Sequence, residues 1–219
     1  MRRTPTLVAA AFGLAVAIAI LVSGPLLLFN PWFVSVEQGR HGVPAALGIP
    51  ASDVDRMTGS LVGDLFTGGS FEVAVEAGTP FLDETERSHM TDVGRLVQGL
   101  AMLDLLALGT VLLAGRRLRG EPGRRARLLL AGAASVGAAA VALGLFFAVA
   151  FDAAFTAFHN LFFAPGTWQF GLGSHLIGLF PEPFWFEASL AAGASIVLAA
   201  LLAAWLARRD LRRAASPAG

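Results

Sequence analysis

Apolar residues along the chain gather into four long blocks, at 7–29, 96–114, 128–151 and 188–207, separated by segments rich in polar residues and turn formers. Each block is close to the roughly 20 residues that a helix needs to cross a hydrocarbon core about 30 Å thick. No internal repeat or heptad seam runs through them. The pattern therefore predicts an all-α membrane protein with four transmembrane helices, a single polytopic domain over 1–213 and a flexible tail at 214–219. Arg2 and Arg3 precede the first block, as in a signal peptide. Its apolar run exceeds the roughly 7–15 residues of such a segment and lacks a small-residue cleavage site, so a retained helix is expected.

The intervening segments differ in kind. Residues 120–123, with Glu121 and Pro122 between two glycines, predict a tight turn that makes the second and third spans antiparallel neighbours. Residues 30–95 are too many for a bare connector and predict a small cap between the first two spans. Within them, 51–66 has a helix signature. Ser52 precedes Asp53 and Asp55, and Val54, Met57, Leu61 and Leu65 follow at helical spacing, with Gly68 and Gly69 as the stop. Asp83, Glu84 and Glu86 supply acids at the start of the second long helix, where the helix dipole favours them.

Composition excludes much. With 55% hydrophobic residues, a mean hydropathy of +0.66 and only 15% charged residues, the chain falls well short of the roughly 25% charged residues of a soluble domain. It has no cysteine, which removes disulfides, thiolate metal sites, a cysteine nucleophile and a palmitoyl anchor. Tyrosine is absent as well. The net charge of zero conceals a strong segregation. Twelve of the sixteen arginines lie at 2–3, 116–127 and 208–213, which by the positive-inside rule places both termini in the cytoplasm. Segments 30–95 and 152–187 then face outward, and they hold thirteen of the sixteen acids and all four histidines. A bilayer, not a nucleic acid, is the partner this distribution suits.

Ionisable groups near membrane depth are costly and mark function by default. His89 stands at the outer end of the second span and His159 just beyond the third, at similar distances from the 120–123 turn, so two imidazoles can meet across the helix pair. If the third helix continues, Asp152, Phe155 and His159 share one face. Two imidazoles suffice for base and acid in one acyl transfer, provided the nucleophile comes from the substrate. Two alternatives stand beside this. One is a metal-dependent membrane hydrolase in which the histidines join Asp92, Glu86 or Asp152, although no His-Glu-x-x-His spacing supports it and no metal or cofactor is expected. The other is a non-catalytic lipid-binding or assembly protein whose interfacial histidines merely hydrogen-bond. A small transporter fits worst, since Asp104 is the sole charge in any span, and it is read as a packing residue. His41 and His175 fall in predicted loops. Trp168, Trp185 and the phenylalanines of 146–186 read as an interfacial aromatic belt, and Arg87 and Arg95 as snorkelling or headgroup-binding cations.

The block Phe158-His159-Asn160-Leu161-Phe162-Phe163, with Trp168-Gln169-Phe170 and Leu179-Phe180-Pro181-Glu182-Pro183-Phe184-Trp185, resembles the lipoprotein intramolecular transacylase (Lit) family of bacterial membrane proteins. So does Glu86-Arg87-Ser88-His89-Met90-Thr91-Asp92-Val93. The resemblance implies an enzyme that moves the sn-2 acyl chain of an S-diacylglyceryl cysteine onto the α-amine of that cysteine, giving a lyso-form N-acyl lipoprotein. A membrane lipoprotein is then the substrate, and the active site faces the extracytoplasmic side of the cell membrane. The family's two essential histidines match His89 and His159, with Asp92, Arg95, Asp152, Asn160 and Trp168 as supporting or substrate-binding residues. The chain departs from the family pattern at Gly171 and Ser174, where aspartates are usual, and near Met57, where a tyrosine is expected.

Overall fold

The computed structural model describes residues 4–75, 79–171 and 173–215, so Arg2, Arg3 and most of the expected tail lie outside the described residues. Among the described residues the chain is helical and contains no strand. Its nine α-helices are α1 (Thr6–Leu28), α2 (Pro31–Arg40), α3 (Val43–Leu47), α4 (Ala51–Thr67), α5 (Glu84–Arg117), α6 (Pro122–Val149), α7 (Phe151–Phe162), α8 (His175–Leu179) and α9 (Glu182–Ala215). Four of them, α1, α5, α6 and α9, are long and apolar enough to cross a membrane. The protein is a multi-pass membrane protein. The α5 and α9 helices each have 34 residues, about 50 Å of rise against a hydrocarbon core of about 30 Å. The apolar blocks predicted their middles, and polar turns extend them at the ends.

The chain divides into two compact units. One comprises Met1–Leu26, Leu100–Leu145 and Ala191–Gly219. Its core is built from Phe12, Val16 and Ile20 of α1, Ala114 of α5, Ala133 and Ala140 of α6, and Ile196 and Ala200 of α9. Small residues let the backbones approach, which is how helices associate where lipid supplies no hydrophobic contrast. A side chain on Gly24 would come within 2.5 Å of Ser195 Oγ, and one on Gly132 within 3.2 Å of the Gly13 carbonyl. Outward-facing leucines, including Leu105, Leu106, Leu113, Leu198 and Leu201, are exposed, as a lipid-facing surface requires. The arginine-bearing segments converge. Thr4 N–H donates to Glu121 (2.6 Å), Arg124 donates to the Thr4 carbonyl (2.8 Å), and Arg125 pairs with Asp210 (3.0 Å). Asp104, 9% exposed, receives the Ser23 hydroxyl at both carboxylate oxygens (2.9 and 3.1 Å).

The other unit comprises Leu27–Gly99 and Phe146–Leu190. Segment 30–83 was expected to hold one helix and, among its described residues, holds three. Asn30 Oδ1 accepts the Phe33 N–H (2.9 Å) and Pro31 opens α2, a cap and a preset φ at the first helical position. Gly42 and Gly48, at φ +65° and +67°, bracket α3. The expected 51–66 helix is α4, ended by Gly68 at φ +75°, and its buried face is Val54, Met57, Thr58, Leu61, Val62 and Leu65. Buried Gln38 of α2 accepts the Thr58 hydroxyl (2.8 Å) and donates to the Leu179 carbonyl (3.0 Å), joining α2, α4 and α8. The third long helix does not continue as one piece. It stops at Val149, Ala150 adopts φ −136°, ψ 55°, and α7 begins at Phe151.

Replacing Ser23 by Val leaves the buried Asp104 carboxylate without the hydroxyl that satisfies it. The expected loss is about 1–3 kcal/mol, read as a lowered thermal midpoint of the detergent-solubilised protein. Asp104→Asn, which retains a hydrogen bond, is expected to cost less.

Candidate active site

The second unit places His89 and His159 side by side. His89 lies in the second turn of α5 and His159 near the end of α7, with ring centroids 6.1 Å apart and planes inclined by 27°. Aromatic rings enclose the pair. Phe163 meets His89 edge-on at 4.9 Å and lies 5.5 Å from His159, and Phe170 meets His89 at 5.6 Å. On the far side of His159 stand Phe155 (4.0 Å) and Trp168 (4.7 Å). Two polar atoms in this enclosure, His89 Nδ1 and Trp168 Nε1, are buried without a hydrogen-bond partner. Buried polar atoms are nearly always satisfied, so orphans of this kind call for a ligand group.

Contact with Phe155 fixes the proton on His159. Its Nδ1 lies 2.8 Å from the Phe155 carbonyl, one turn back on α7. A carbonyl only accepts, so Nδ1 carries the hydrogen, and in the neutral ring Nε2 is left as the lone-pair atom. Burial lowers the His159 pKa from its ordinary 6.5, and the Phe155 hydrogen bond only partly opposes this. The result is an imidazole held neutral near pH 7, with its basic nitrogen free.

Glu86 positions the surroundings. It is 1% exposed and three residues before His89. Its Oε2 accepts the Asp83 N–H (2.9 Å) while Asp83 Oδ1 accepts the Glu86 N–H (2.8 Å), a reciprocal capping box at the start of α5. That N–H is the main reason the Asp83 carboxyl is held below its usual range. The other Glu86 oxygen, Oε1, accepts the Ser174 hydroxyl (2.5 Å) and the Leu176 N–H (3.0 Å). Ser174 in turn accepts the Ile177 N–H and caps α8. Glu86 thus ties the chain just after Trp168 and Phe170 to the helix that bears His89.

Of the residues singled out from sequence, His89, His159 and Trp168 are brought together. Asp92 lies one turn beyond His89 on α5, and Arg95 Nη1 pairs with it at 2.8 Å, at the surface. Asp152 shares a helix with Phe155 and His159 but is exposed in the first turn of α7, about 10 Å of rise from His159. Asn160 is exposed, and the side chain of neither Asn160 nor Asp152 makes a hydrogen bond or ion pair among the described residues. Trp168, read from the sequence as part of an interfacial belt, lines the enclosure. His41 and His175, expected in loops, are built into the packing. His175 stacks on Phe81 at 4.4 Å and bonds its carbonyl through Nδ1 (2.5 Å), and His41 closes α2 facing Glu37 and Glu187. Sequence reasoning missed Glu86 as the organising carboxylate. Its signal was the Asp-x-x-Glu spacing at a helix start. It also missed Phe163 and Phe170, which no spacing distinguishes from other aromatics.

A family profile described as lipoprotein intramolecular transacylase Lit matches residues 9–185. Among solved structures, the in meso structure of the membrane-integral lipoprotein intramolecular transacylase Lit from Bacillus cereus is similar at TM-score 0.84 and 20% identity. It covers 95% of this chain and 96% of that one. Two variants of that protein, each with one histidine replaced, match at TM-scores of 0.76 and 0.77 and 19% identity, covering 95% of this chain and 92% and 94% of theirs. No curated protein sequence matches the chain.

The Glu86→Gln variant puts an amide N–H where the carboxylate accepts one, against either the Asp83 N–H or the Ser174 and Leu176 donors. A loss of about 1–3 kcal/mol in stability is expected. Hydrogen exchange in segment 173–180 should rise with it, by mass spectrometry of the solubilised protein.

Proposed function

The chain belongs to the lipoprotein intramolecular transacylase family, and on that premise we propose that it transfers the sn-2 acyl chain of an S-diacylglyceryl cysteine to the α-amine of the same cysteine, with His89 and His159 as its catalytic residues. The observation that carries this reading is the pair of imidazoles in an aromatic enclosure, with the proton of one fixed and two buried polar atoms unsatisfied. The enclosure suits an acyl chain, and the orphan atoms suit the ester and amine. Segment 30–83 and the helices α7 and α8 form the extracytoplasmic part, with both termini in the cytoplasm. The convergence of Thr4 with Glu121 and Arg124, and of Arg125 with Asp210, at one end of the first unit supports that orientation.

The substrate brings its own nucleophile, so the protein needs neither cysteine nor an activated serine. His159 Nε2 takes a proton from the α-ammonium, and the freed amine attacks the ester carbonyl carbon, forming the C–N bond. The His89 ring donates to the tetrahedral oxygen, a neutral hydrogen-bond donor in a dry site. As the intermediate collapses, the bond from carbonyl carbon to glyceryl oxygen breaks. Protonated His159 gives its proton to the departing glyceryl oxygen, and its freed Nε2 then takes the second proton from the nitrogen and releases it to bulk water. The amide and a free glyceryl hydroxyl result, and no water is consumed. Holding amine and ester of one molecule together supplies the proximity gain of an intramolecular reaction. Trp168 Nε1 and the exposed Asp92–Arg95 pair are the substrate-positioning groups. Asn160 and Asp152 are exposed on α7 and are assigned to substrate contact only by the family resemblance.

Expression with a diacylglyceryl lipoprotein, followed by mass spectrometry of the N-terminal lipopeptide, should show an acyl group moved from glycerol to nitrogen. An acyl group that stays on glycerol in membranes containing folded protein refutes the transacylase reading. His89→Ala and His159→Ala should each reduce transfer by 10²-fold or more while membrane insertion and thermal midpoint persist. Activity retained in either variant removes that histidine from the chemistry.

The pH profile has a definite sign. A base with a lowered pKa is protonated, and activity lost, only as pH falls through that lowered value. Besides the titration of the substrate amine at about pH 8, kcat/KM should show a further acid limb with its inflection below 6.5, the ordinary imidazole value. A profile whose inflection other than that of the substrate amine lies at 7 or above contradicts His159 as a buried base.

A further inference from the structure

A second cluster of ligating groups lies in the same unit and shares no residue with the histidine pair. Glu37 and His41 are four residues apart, and the His41 N–H donates to the Glu37 carbonyl at 3.1 Å, so the helical pattern of α2 carries both side chains to one face. Glu187, in the second turn of α9, faces them. Arg40 Nη1 binds one oxygen of each carboxylate, Glu37 Oε1 at 2.9 Å and Glu187 Oε2 at 2.8 Å. This turns the remaining oxygens inward. Glu37 Oε2 and Glu187 Oε1 lie 3.8 and 3.6 Å from His41 Nε2, too far for hydrogen bonds. Glu37 is 6% exposed, and both its Oε2 and His41 Nε2 are buried without a partner.

Three ligand atoms, all within 4.8 Å of one another, thus point at one another without bonding. Ligands about 2.0–2.2 Å from a tetrahedral zinc lie roughly 3.3–3.6 Å apart, so sub-ångström side-chain shifts complete the geometry. The charges agree, since two carboxylates against one guanidinium leave a deficit that a cation fills. One imidazole with two carboxylates favours zinc-class transition metals over calcium or magnesium, which prefer all-oxygen sets. We propose that Glu37 Oε2, His41 Nε2 and Glu187 Oε1 bind a zinc-class divalent metal ion, with water as the fourth ligand. In this site Arg40 orients both carboxylates from outside the coordination shell, as outer-shell partners do. The ion clasps the end of α2 to the start of α9, and its binding does not depend on the proposed acyl transfer.

The test uses the full-length, tag-free protein in detergent. Zinc titrated by calorimetry, with metal analysis after desalting, should give one equivalent per chain and raise the thermal midpoint, while magnesium and calcium should not. His41→Ala and Glu187→Gln should each weaken zinc binding by roughly 100-fold or more, beyond the 10–100-fold effect of an outer-shell partner. His89→Ala should leave it unchanged. Cobalt in place of zinc should give visible d–d bands in the unsubstituted protein, which keeps the proposal testable if a variant fails to fold. Absence of saturable zinc binding overturns the proposal. Zinc binding that survives His41→Ala, or is lost in His89→Ala, also overturns it and places the metal elsewhere.

Discussion

The Glu86 carboxylate is the interaction on which the histidine enclosure depends. Buried charge is tolerable only when its lone pairs are met, and here three donors meet them: the Asp83 and Leu176 N–H groups and the Ser174 hydroxyl. Each of these also does local work. The first closes the start of α5, and the other two order the start of α8. Because α5 carries His89 one turn later, and the chain before α8 carries Trp168 and Phe170, one side chain fixes both walls around the imidazoles. It does so without touching them.

That arrangement leaves the histidines in an apolar shell whose own polar atoms are incomplete. In most interiors such incompleteness would be a defect. Beside two imidazoles of which one is held neutral, it is a complement to something polar that arrives attached to something oily. A diacylglyceryl cysteine answers that description: an amine and an ester at one end, hydrocarbon at the other. Under the proposed reaction the nucleophile belongs to that substrate, which accommodates a chain with neither a cysteine nor a nucleophile elbow.

Much of this was legible in the sequence. The four apolar blocks coincide with α1, with the middles of α5 and α9 and with most of α6, and the short turn at 120–123, which joins α5 to α6, is what led His89 and His159 to be expected together. The α4 helix was legible because amphipathic spacing and a terminal glycine coincide. The helices α2, α3 and α8 were not, because they are only 10, 5 and 5 residues long and are held by caps and tertiary contacts, not by periodicity. The break at Ala150 has no proline or glycine to announce it. Its effect is to place Asp152, Phe155 and His159 together in a separate helix, α7. Likewise, nothing in the spacing of Phe163, Trp168 and Phe170 separates an enclosure from an interfacial belt. That distinction appears only once Glu86 is seen to fold the 163–176 segment back.

The hydrogen bond from His159 to the Phe155 carbonyl has a further implication. In many histidine-dependent enzymes the group that sets the tautomer is an aspartate, and a point mutation can delete it. Here that group is main chain, present whatever residue stands at 155. Substitutions along this helix can therefore reshape the ring environment while the imidazole keeps its tautomer and orientation, and under the proposed acyl transfer that separates the base from the pocket that selects the acyl chain.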